Sequence, residues 1–192
     1  AKTILKRRYV DDITNQKVFG LYSIDDQSFE KKDEIKFQSL LKTEIPKYDM
    51  VLVSDYGHGL ISKSSAKTIV KKSKFLAINA QLNAANVGHH TIARYKNAEL
   101  VIINENEMRH ELRNKVDSKE HLIKELSKKL NSKLTVVTSG DEGSLIYEKK
   151  NKKTIKCPAF ANKVKDKVGT GDAMLVALAL SIYKKNNLYF SM

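Results

Sequence analysis

Residues 50–59 read MVLVSDYGHG, an apolar run followed by polar residues and two glycines. A short, fully apolar run that ends at glycines is typical of a strand buried on both faces, as in a parallel sheet. On the amino-terminal side of this stretch, the apolar residues from Phe29 to Ile45 recur at helical spacing, and Pro46 follows them. On the other side, residues 62–73 are typical of a helix with a serine cap. The surroundings of this run therefore predict helix, strand, helix.

The same alternation continues along the chain. Apolar runs predict strands at residues 75–79, 100–103 and 134–138, and residues 118–130 predict a helix that opens at a serine. Strands that alternate with helices are typical of a sheet covered by helices. We therefore predict an α/β fold, a three-layer, doubly wound and mostly parallel sheet.

The two ends of the chain have different patterns. β-branched and aromatic residues at 3–10 and 16–24 predict a short antiparallel strand pair. Residues 143–147 and 154–158 predict a hairpin, and the apolar run 173–183 predicts a buried helix.

A chain of 192 residues can bury one substantial core, so we expect a single domain. Within it, residues 1–25 hold the strand pair and residues 28–192 the α/β core. Exposed strand edges tend to be covered, and the pair therefore suggests a homodimer.

Composition excludes several classes of protein. The formal net charge is +13, but 30 of the 35 basic residues are Lys, spread along the chain, and Trp is absent. Readers of nucleic acid concentrate basic charge and favour Arg, so we interpret this charge as solvated surface and expect no specific nucleic-acid partner. No apolar run reaches the ~18 residues of a membrane span, and the single cysteine excludes an internal disulfide. We expect a cytoplasmic protein without a membrane partner.

The segment from Gly169 to Asp172 reads Gly-Thr-Gly-Asp and leads into the last predicted helix. Its glycines let backbone N–H groups converge, and a helix amino terminus adds partial positive charge. A phosphoryl group in transfer needs such an arrangement, because charge develops on its oxygens. A carboxylate would repel a merely bound anion, so Asp172 is predicted to be the general base for an attacking hydroxyl. The alternative is a tight turn with a helix-end aspartate.

Two further motifs follow predicted strands. Asn104 and Glu107 place two oxygen ligands at the mouth of the sheet, where Glu107 could hold Mg²⁺; the alternative is a helix capping box. The segment from Thr138 to Gly143, with Gly140 inside it, could wrap a nucleotide; the alternative is an ordinary hairpin-entry loop.

Taken in order, these motifs resemble those of the ribokinase-like (PfkB) carbohydrate kinases. The resemblance rests on Asn104 with Glu107, on Thr-Ser-Gly-x-x-Gly from Thr138, and on Asp-Lys-Val-Gly-Thr-Gly-Asp-Ala at 166–173. It implies ATP and Mg²⁺ as cofactors, with Gly169, Thr170 and Gly171 as the anion hole and Asp172 as the base. It also implies that Thr138, Gly140, Gly143 and Asn104 lie around the nucleotide. Residues 53–59 look closest to heptose-phosphate kinases, which implies that Asp55 contacts the substrate. The family is longer at both ends, so we expect this chain to be incomplete relative to it.

One stretch departs from that pattern. Where heptose-phosphate kinases continue with Asp-Pro-Lys-Gly, residues 75–86 are neutral and rich in amides. Amides suit hydroxyl groups, and we expect Asn79 and Asn83 to bind the sugar. The favoured hypothesis is an ATP-dependent kinase that phosphorylates a hydroxyl of a sugar or sugar phosphate. The alternatives are a non-catalytic nucleotide- or sugar-binding module with the kinase fold and a basic nucleic-acid-binding protein.

Overall fold

A computed structural model of the chain describes residues 3–14, 16–24, 30–82, 86, 91–160 and 169–185. Within these ranges the chain forms eight strands and five helices. In chain order they are β1 (Leu5–Val10), β2 (Lys17–Ser23), α1 (Lys31–Glu44), β3 (Val51–Asp55), α2 (Lys63–Lys72), β4 (Leu76–Ala80), β5 (Leu100–Asn104), α3 (Glu105–Leu112), α4 (Lys119–Leu130), β6 (Leu134–Thr138), β7 (Ser144–Glu148), β8 (Lys153–Cys157) and α5 (Thr170–Lys185).

Strands β3 to β8 form one six-stranded sheet in sequence order. The pairs from β3 to β6 are parallel, and β7 and β8 are added antiparallel. Residues of α2, α3 and α4 pack in one core cluster on one face of this sheet. α5 packs on the opposite face. The predicted three-layer α/β fold is confirmed.

The central strands have the burial that the sequence predicted. All five residues of β4 are buried, and four of the five in β5 are buried. Helices cover both faces of the sheet, so these strands are apolar on both faces instead of alternating, apart from Asn79 and Asn104 near their carboxyl ends.

A carboxylate joins α1 to α2. Glu34 Oε1 accepts hydrogen bonds from the hydroxyls of Ser62 (2.5 Å), Ser64 (2.8 Å) and Ser65 (3.0 Å), and from the side-chain amide of Gln38 (3.1 Å). Ser62 also caps α2, because its hydroxyl accepts the Ser65 N–H. Burial opposes the ionisation of Glu34, but the four donors outweigh it and lower the pKa of Glu34 to about 2. This cluster fixes one helix against the other.

The last helix differs from the prediction. Leu175, Leu178 and Ala179 are buried against the sheet, whereas Val176 and Leu180 are 44% and 46% exposed. The prediction of a fully buried helix was wrong, because no described part of the chain packs over this outer face. None of the described helices is both long enough and apolar enough to cross a membrane.

β1 and β2 form a separate antiparallel sheet, as predicted. Apolar side chains on both strands are exposed, and the rings of Tyr9 and Phe19 stack with centroids 4.3 Å apart. A direct contact joins this sheet to the core, since Lys6 Nζ lies 5.0 Å from the ring centroid of Tyr56.

Candidate active site

Several of the candidate residues lie at the carboxyl edge of the parallel strands, on the face that α5 covers. Leu52, Ala77 and Val136 pack in the α5 cluster. Side chains two residues apart on a strand share a face, so Ser54, Asn79 and Thr138 continue this face at the strand ends. Ser54 and Asn79 are also direct neighbours in the β3–β4 register. Ligands of open α/β sheets bind outside this edge.

Asp172 lies in the first turn of α5, above the end of β3. Its Oδ1 accepts a hydrogen bond from the Ser54 hydroxyl (2.6 Å), and its Oδ2 accepts one from the Tyr56 hydroxyl (2.7 Å). That hydrogen bond to Asp172, together with burial and the negative charge of Asp172, raises the pKa of Tyr56 above its usual value near 10. Two hydroxyls from one strand end thus hold the predicted base in a defined orientation.

The two glycines before Asp172 shape the start of α5 in different ways. Gly169 has φ +80°, in the left-handed region that favours glycine, and its carbonyl accepts the Ala173 N–H at 2.9 Å. The N–H groups of Gly171 and Asp172 lie in the first helical turn, where the helix itself provides no acceptor. A Cβ at position 171 would lie only 2.8 Å from Asn79 Nδ2, so glycine permits the close approach of α5 to β4. Asn79 and Gly171 are therefore neighbours at this edge of the sheet.

Asp55 lies on the other face of β3. Its Oδ1 accepts the Gly57 N–H (2.9 Å), and its Oδ2 accepts the hydroxyl of the fully buried Tyr95 (2.6 Å). Burial, with the charge and hydrogen bond of Asp55, raises the pKa of Tyr95. These contacts shape the turn after β3, and the assignment of Asp55 to the substrate remains a prediction. Asn83, the other substrate candidate, lies outside the described residues.

Asn104 and Glu107 form the capping box that was the alternative interpretation. Asn104 Oδ1 accepts the Glu107 N–H (2.8 Å), and Glu107 Oε2 accepts the Asn104 N–H (3.0 Å). Glu107 Oε1 also accepts the N–H of Leu82 (3.0 Å). Burial raises the pKa of Glu107, although these hydrogen bonds oppose the shift. Asn104 and Glu107 cap the start of α3, a helix that was not among the helices predicted from the sequence.

A magnesium ion fits this donor set only in part. The described ranges contain no group of three or more His, Cys, Asp or Glu side chains placed to hold a metal ion. Mg²⁺ usually keeps several waters and uses one or two carboxylates plus phosphate oxygens. Both oxygens of Glu107 already accept backbone hydrogen bonds, so Glu107 fits a contact through water. The site suits an ion held mainly by phosphates and water.

The loop after β6 is shaped by two glycines with positive φ, +62° at Gly140 and +85° at Gly143. A Cβ at position 143 would lie 2.1 Å from the carbonyl oxygen of Cys157, so Gly143 permits the packing of this loop against β8. At position 140 a Cβ would meet no described atom within 4 Å, which leaves space beside the backbone. Thr138 comes just before this loop. Gly143 therefore has a packing role, and Gly140 lies at the more open part of the predicted nucleotide loop.

Sequence reasoning missed a polar cluster that holds this loop. Glu105 accepts a hydrogen bond from Ser139 (2.9 Å) and forms salt bridges with Lys119 (3.3 Å) and Arg109 (2.9 Å). Lys119 also pairs with Glu142. These residues come from α3, α4 and the loop, which are separate segments of the sequence. The sequence pattern does not show that these segments are adjacent, because their proximity depends on the order of the strands in the sheet.

Part of the amide-rich stretch has a structural role. Asn86 is 3% exposed, and its amide donates to the carbonyl oxygens of Tyr56 and Gln81, both at 2.9 Å. The Gln81 N–H in turn donates to the Asp55 carbonyl oxygen (2.9 Å). This network fixes the backbone that follows β3, and with it the position of Tyr56.

Neither Ser54 nor Tyr56 was a predicted site residue. Ser54 could have been found from the sequence, because strand alternation places it on the same face as Leu52.

Comparison with known families agrees with the geometry. The profile of the pfkB family of carbohydrate kinases matches residues 3–189, nearly the whole chain. The chain belongs to this family.

Curated relatives named bifunctional protein HldE are similar in sequence. The protein from a Nitratiruptor species is 26% identical over 178 residues, which cover 91% of this chain and 36% of the relative. The protein from Campylobacter concisus is 31% identical over 134 residues, 67% of this chain and 26% of the relative. The chain spans about a third of the length of these relatives.

Solved structures share the fold at low sequence identity. Escherichia coli phosphofructokinase-2 in complex with fructose-6-phosphate aligns with a TM-score of 0.69 and 15% identity, over 95% of this chain and 59% of that chain. Arabidopsis thaliana ribokinase complexed with ribose and ATP aligns with a TM-score of 0.60 and 17% identity, over 90% and 55% of the two chains. The ribokinase-like fold follows from these alignments.

Proposed function

We propose that this chain carries the phosphoryl-transfer site of an ATP-dependent sugar kinase. The acceptor hydroxyl oxygen forms a bond to the γ-phosphorus of ATP while the bond to the β,γ-bridging oxygen breaks and ADP leaves. The proton of the hydroxyl passes to the Asp172 carboxylate. The backbone of Gly169, Thr170 and Gly171 stabilises the charge on the transferring phosphoryl group.

One observation carries this proposal. Asp172 stands in the first turn of α5, shortly after the left-handed Gly169 and above the carboxyl end of β3. A base and a set of backbone donors are thereby joined in one short segment, as in-line transfer requires. Membership of the pfkB family supports the same reaction class.

ATP and Mg²⁺ are the proposed cofactors. Thr138 and Asn104 are paired in the register of β5 and β6, and Gly140 follows Thr138 in the next loop. We propose that the nucleotide contacts this edge of the sheet. Mg²⁺ would be held by phosphate oxygens, with Glu107 in contact through water. When bound, it neutralises charge on the phosphates.

The proposed acceptor is a sugar or sugar phosphate. Asn79, beside Gly171, supplies an amide suited to a sugar hydroxyl, with Asn83 and Asp55 as further predicted contacts. The resemblance to heptose-phosphate kinases points to a heptose 7-phosphate. Fructose-6-phosphate and ribose, the sugars bound in two of the solved structures of similar fold, are further acceptors to test.

The test measures ADP release and the phosphorylated product with these three acceptors. The assay uses the native-length polypeptide that contains residues 1–192, together with ATP and Mg²⁺. We expect one acceptor to be phosphorylated, and Asp172→Ala to lower kcat about 10²- to 10⁴-fold while ATP still binds. Full turnover in Asp172→Ala would contradict the assigned base. ATP binding without turnover of any acceptor would instead favour the non-catalytic module.

We also propose that the protein forms a homodimer through the β1–β2 sheet. Exposed apolar side chains that share one face of this sheet, among them Leu5, Phe19 and Leu21, would be covered by the same surface of a second copy. Analytical ultracentrifugation should show a dimer, and Phe19→Ser should shift it toward monomer. A monomer at all concentrations would contradict this proposal.

A further inference from the structure

Tyr56 lies between the separate two-stranded sheet and the proposed base. One face of its ring is approached by Lys6 of β1, with Nζ 5.0 Å from the centroid. Its hydroxyl donates to Asp172 Oδ2 at 2.7 Å. A cation over the face of a ring is attracted by the ring quadrupole, so Lys6 favours one orientation of the Tyr56 ring. Ring orientation in turn sets the direction of the hydroxyl.

The backbone of Tyr56 is held from two sides. Asn86, nearly fully buried, donates to its carbonyl oxygen, and Asp55 accepts the N–H of the next residue, Gly57, which has φ +68°. With its backbone fixed by these hydrogen bonds, the side chain keeps mainly its own two torsions. The contact with Lys6 and the hydrogen bond to Asp172 act on those torsions.

We infer that Tyr56 is a positioning residue that links the β1–β2 sheet to Asp172, with Lys6 orienting its ring and its hydroxyl orienting the carboxylate. This inference rests on the proposed function, because it assigns the orientation of the proposed base. Ser54, at the end of β3, donates to the other carboxylate oxygen of Asp172. A contact between β1 and this pair of residues is the one that Lys6 makes with the Tyr56 ring.

The kinetic test is a double-mutant cycle in the native-length polypeptide with ATP, Mg²⁺ and the acceptor that it phosphorylates. Tyr56→Phe keeps the ring and removes the hydroxyl, and we expect kcat to fall about tenfold with KM for ATP unchanged. Lys6→Met should lower kcat about threefold in the wild-type background. In the Tyr56→Phe background, Lys6→Met should have no further effect, because the hydroxyl through which it acts is gone. Additive effects, or a loss confined to KM, would overturn the inference.

The same sheet offers a matched control. Lys17 Nζ lies 5.6 Å from the ring centroid of Tyr22, a similar cation–ring pair formed entirely within β2. Lys17→Met and Tyr22→Phe should leave kcat within twofold of the wild type. Losses equal to those of Lys6→Met would show that any change in this sheet impairs the enzyme, which would overturn the specific role of Tyr56.

A spectroscopic test needs no substrate. With ¹³Cζ-labelled tyrosine, the Tyr56 signal is identified by its absence in Tyr56→Phe and should titrate above the usual pKa near 10, mainly because of its hydrogen bond to Asp172. In Asp172→Asn this midpoint should move down, while that of Tyr22, whose pKa is lowered chiefly by its hydrogen bond with Lys17, should not move. An unchanged Tyr56 midpoint would overturn the inference. If Asp172→Ala retains turnover but the Tyr56 midpoint moves, the proposed base fails while the contact stands.

Discussion

Glu34 and Asp172 are both carboxylates held by hydroxyl groups, but they lie in different parts of the molecule. Glu34 receives four donors on one oxygen, from α1 and from the start of α2. Asp172 receives one donor on each oxygen, both from the end of β3. Glu34 joins two helices on the outside of the sheet, whereas Asp172 lies at the carboxyl edge of the sheet, shortly after the left-handed Gly169.

The difference shows how one chemical group serves two purposes. Four donors hold the negative charge of Glu34 so strongly that its pKa falls to about 2, which suits a structural contact and makes it a poor acceptor of a proton. Asp172 has fewer donors and lies next to backbone N–H groups that the helix does not use. Position and surroundings, rather than residue type, distinguish the structural carboxylate from the proposed base.

Gly171→Ala should have the largest effect on the Asp172 region. The new Cβ would lie 2.8 Å from Asn79 Nδ2, so α5 or Asn79 must shift by a few tenths of an ångström or more. Displacement of the helix start moves both Asp172 and the anion hole, and we expect kcat to fall about 10²-fold. Stability should change little, because alanine is the better helix former.

Steady-state kinetics and urea unfolding together check this prediction. Ala177→Ser, at an exposed position further along α5, is the matched control and should leave kcat within twofold. If Gly171→Ala retained the wild-type kcat, the close approach of α5 to β4 would be irrelevant to the reaction.

Glu34→Gln should have a smaller effect, and it should affect stability alone. The substitution keeps the shape and removes the charge that the four donors stabilise, so we expect the free energy of unfolding to fall by about 1–2 kcal/mol at pH 7. Asp33→Asn changes a neighbouring acid in the same first turn of α1 and controls for the helix dipole. Equal losses from the two variants would show that the hydroxyl cluster adds nothing.

The pH dependence of stability has a defined sign. Because the pKa of Glu34 is lowered from about 4.5 to about 2 on folding, its contribution is complete above pH ~4.5 and is lost as the pH falls toward 2. The wild type should therefore lose stability over this range more steeply than Glu34→Gln, as measured by urea unfolding at a series of pH values. Parallel curves would contradict the lowered pKa.

Much of this fold could be predicted from the sequence, because local patterns carry it. Strands β3 to β6 correspond to short apolar runs in the sequence. The outer face of α5 could not be foreseen, since an apolar helix does not reveal which neighbours cover it. Ser54 and Tyr56 were missed because their role depends on which face of the sheet α5 covers, a tertiary fact. Asn104 and Glu107 form the helix capping box that the sequence analysis gave as the alternative to a magnesium site.

The most direct test of the account compares Asp172→Asn with Glu34→Gln by two measurements, kcat and the free energy of unfolding. We predict a crossed result: Asp172→Asn loses at least about 10²-fold in kcat with a free energy of unfolding within about 1 kcal/mol of the wild type, whereas Glu34→Gln loses stability and keeps kcat. If Asp172→Asn instead kept its turnover, or if both variants lost only stability, the assignment of Asp172 as the base would be wrong.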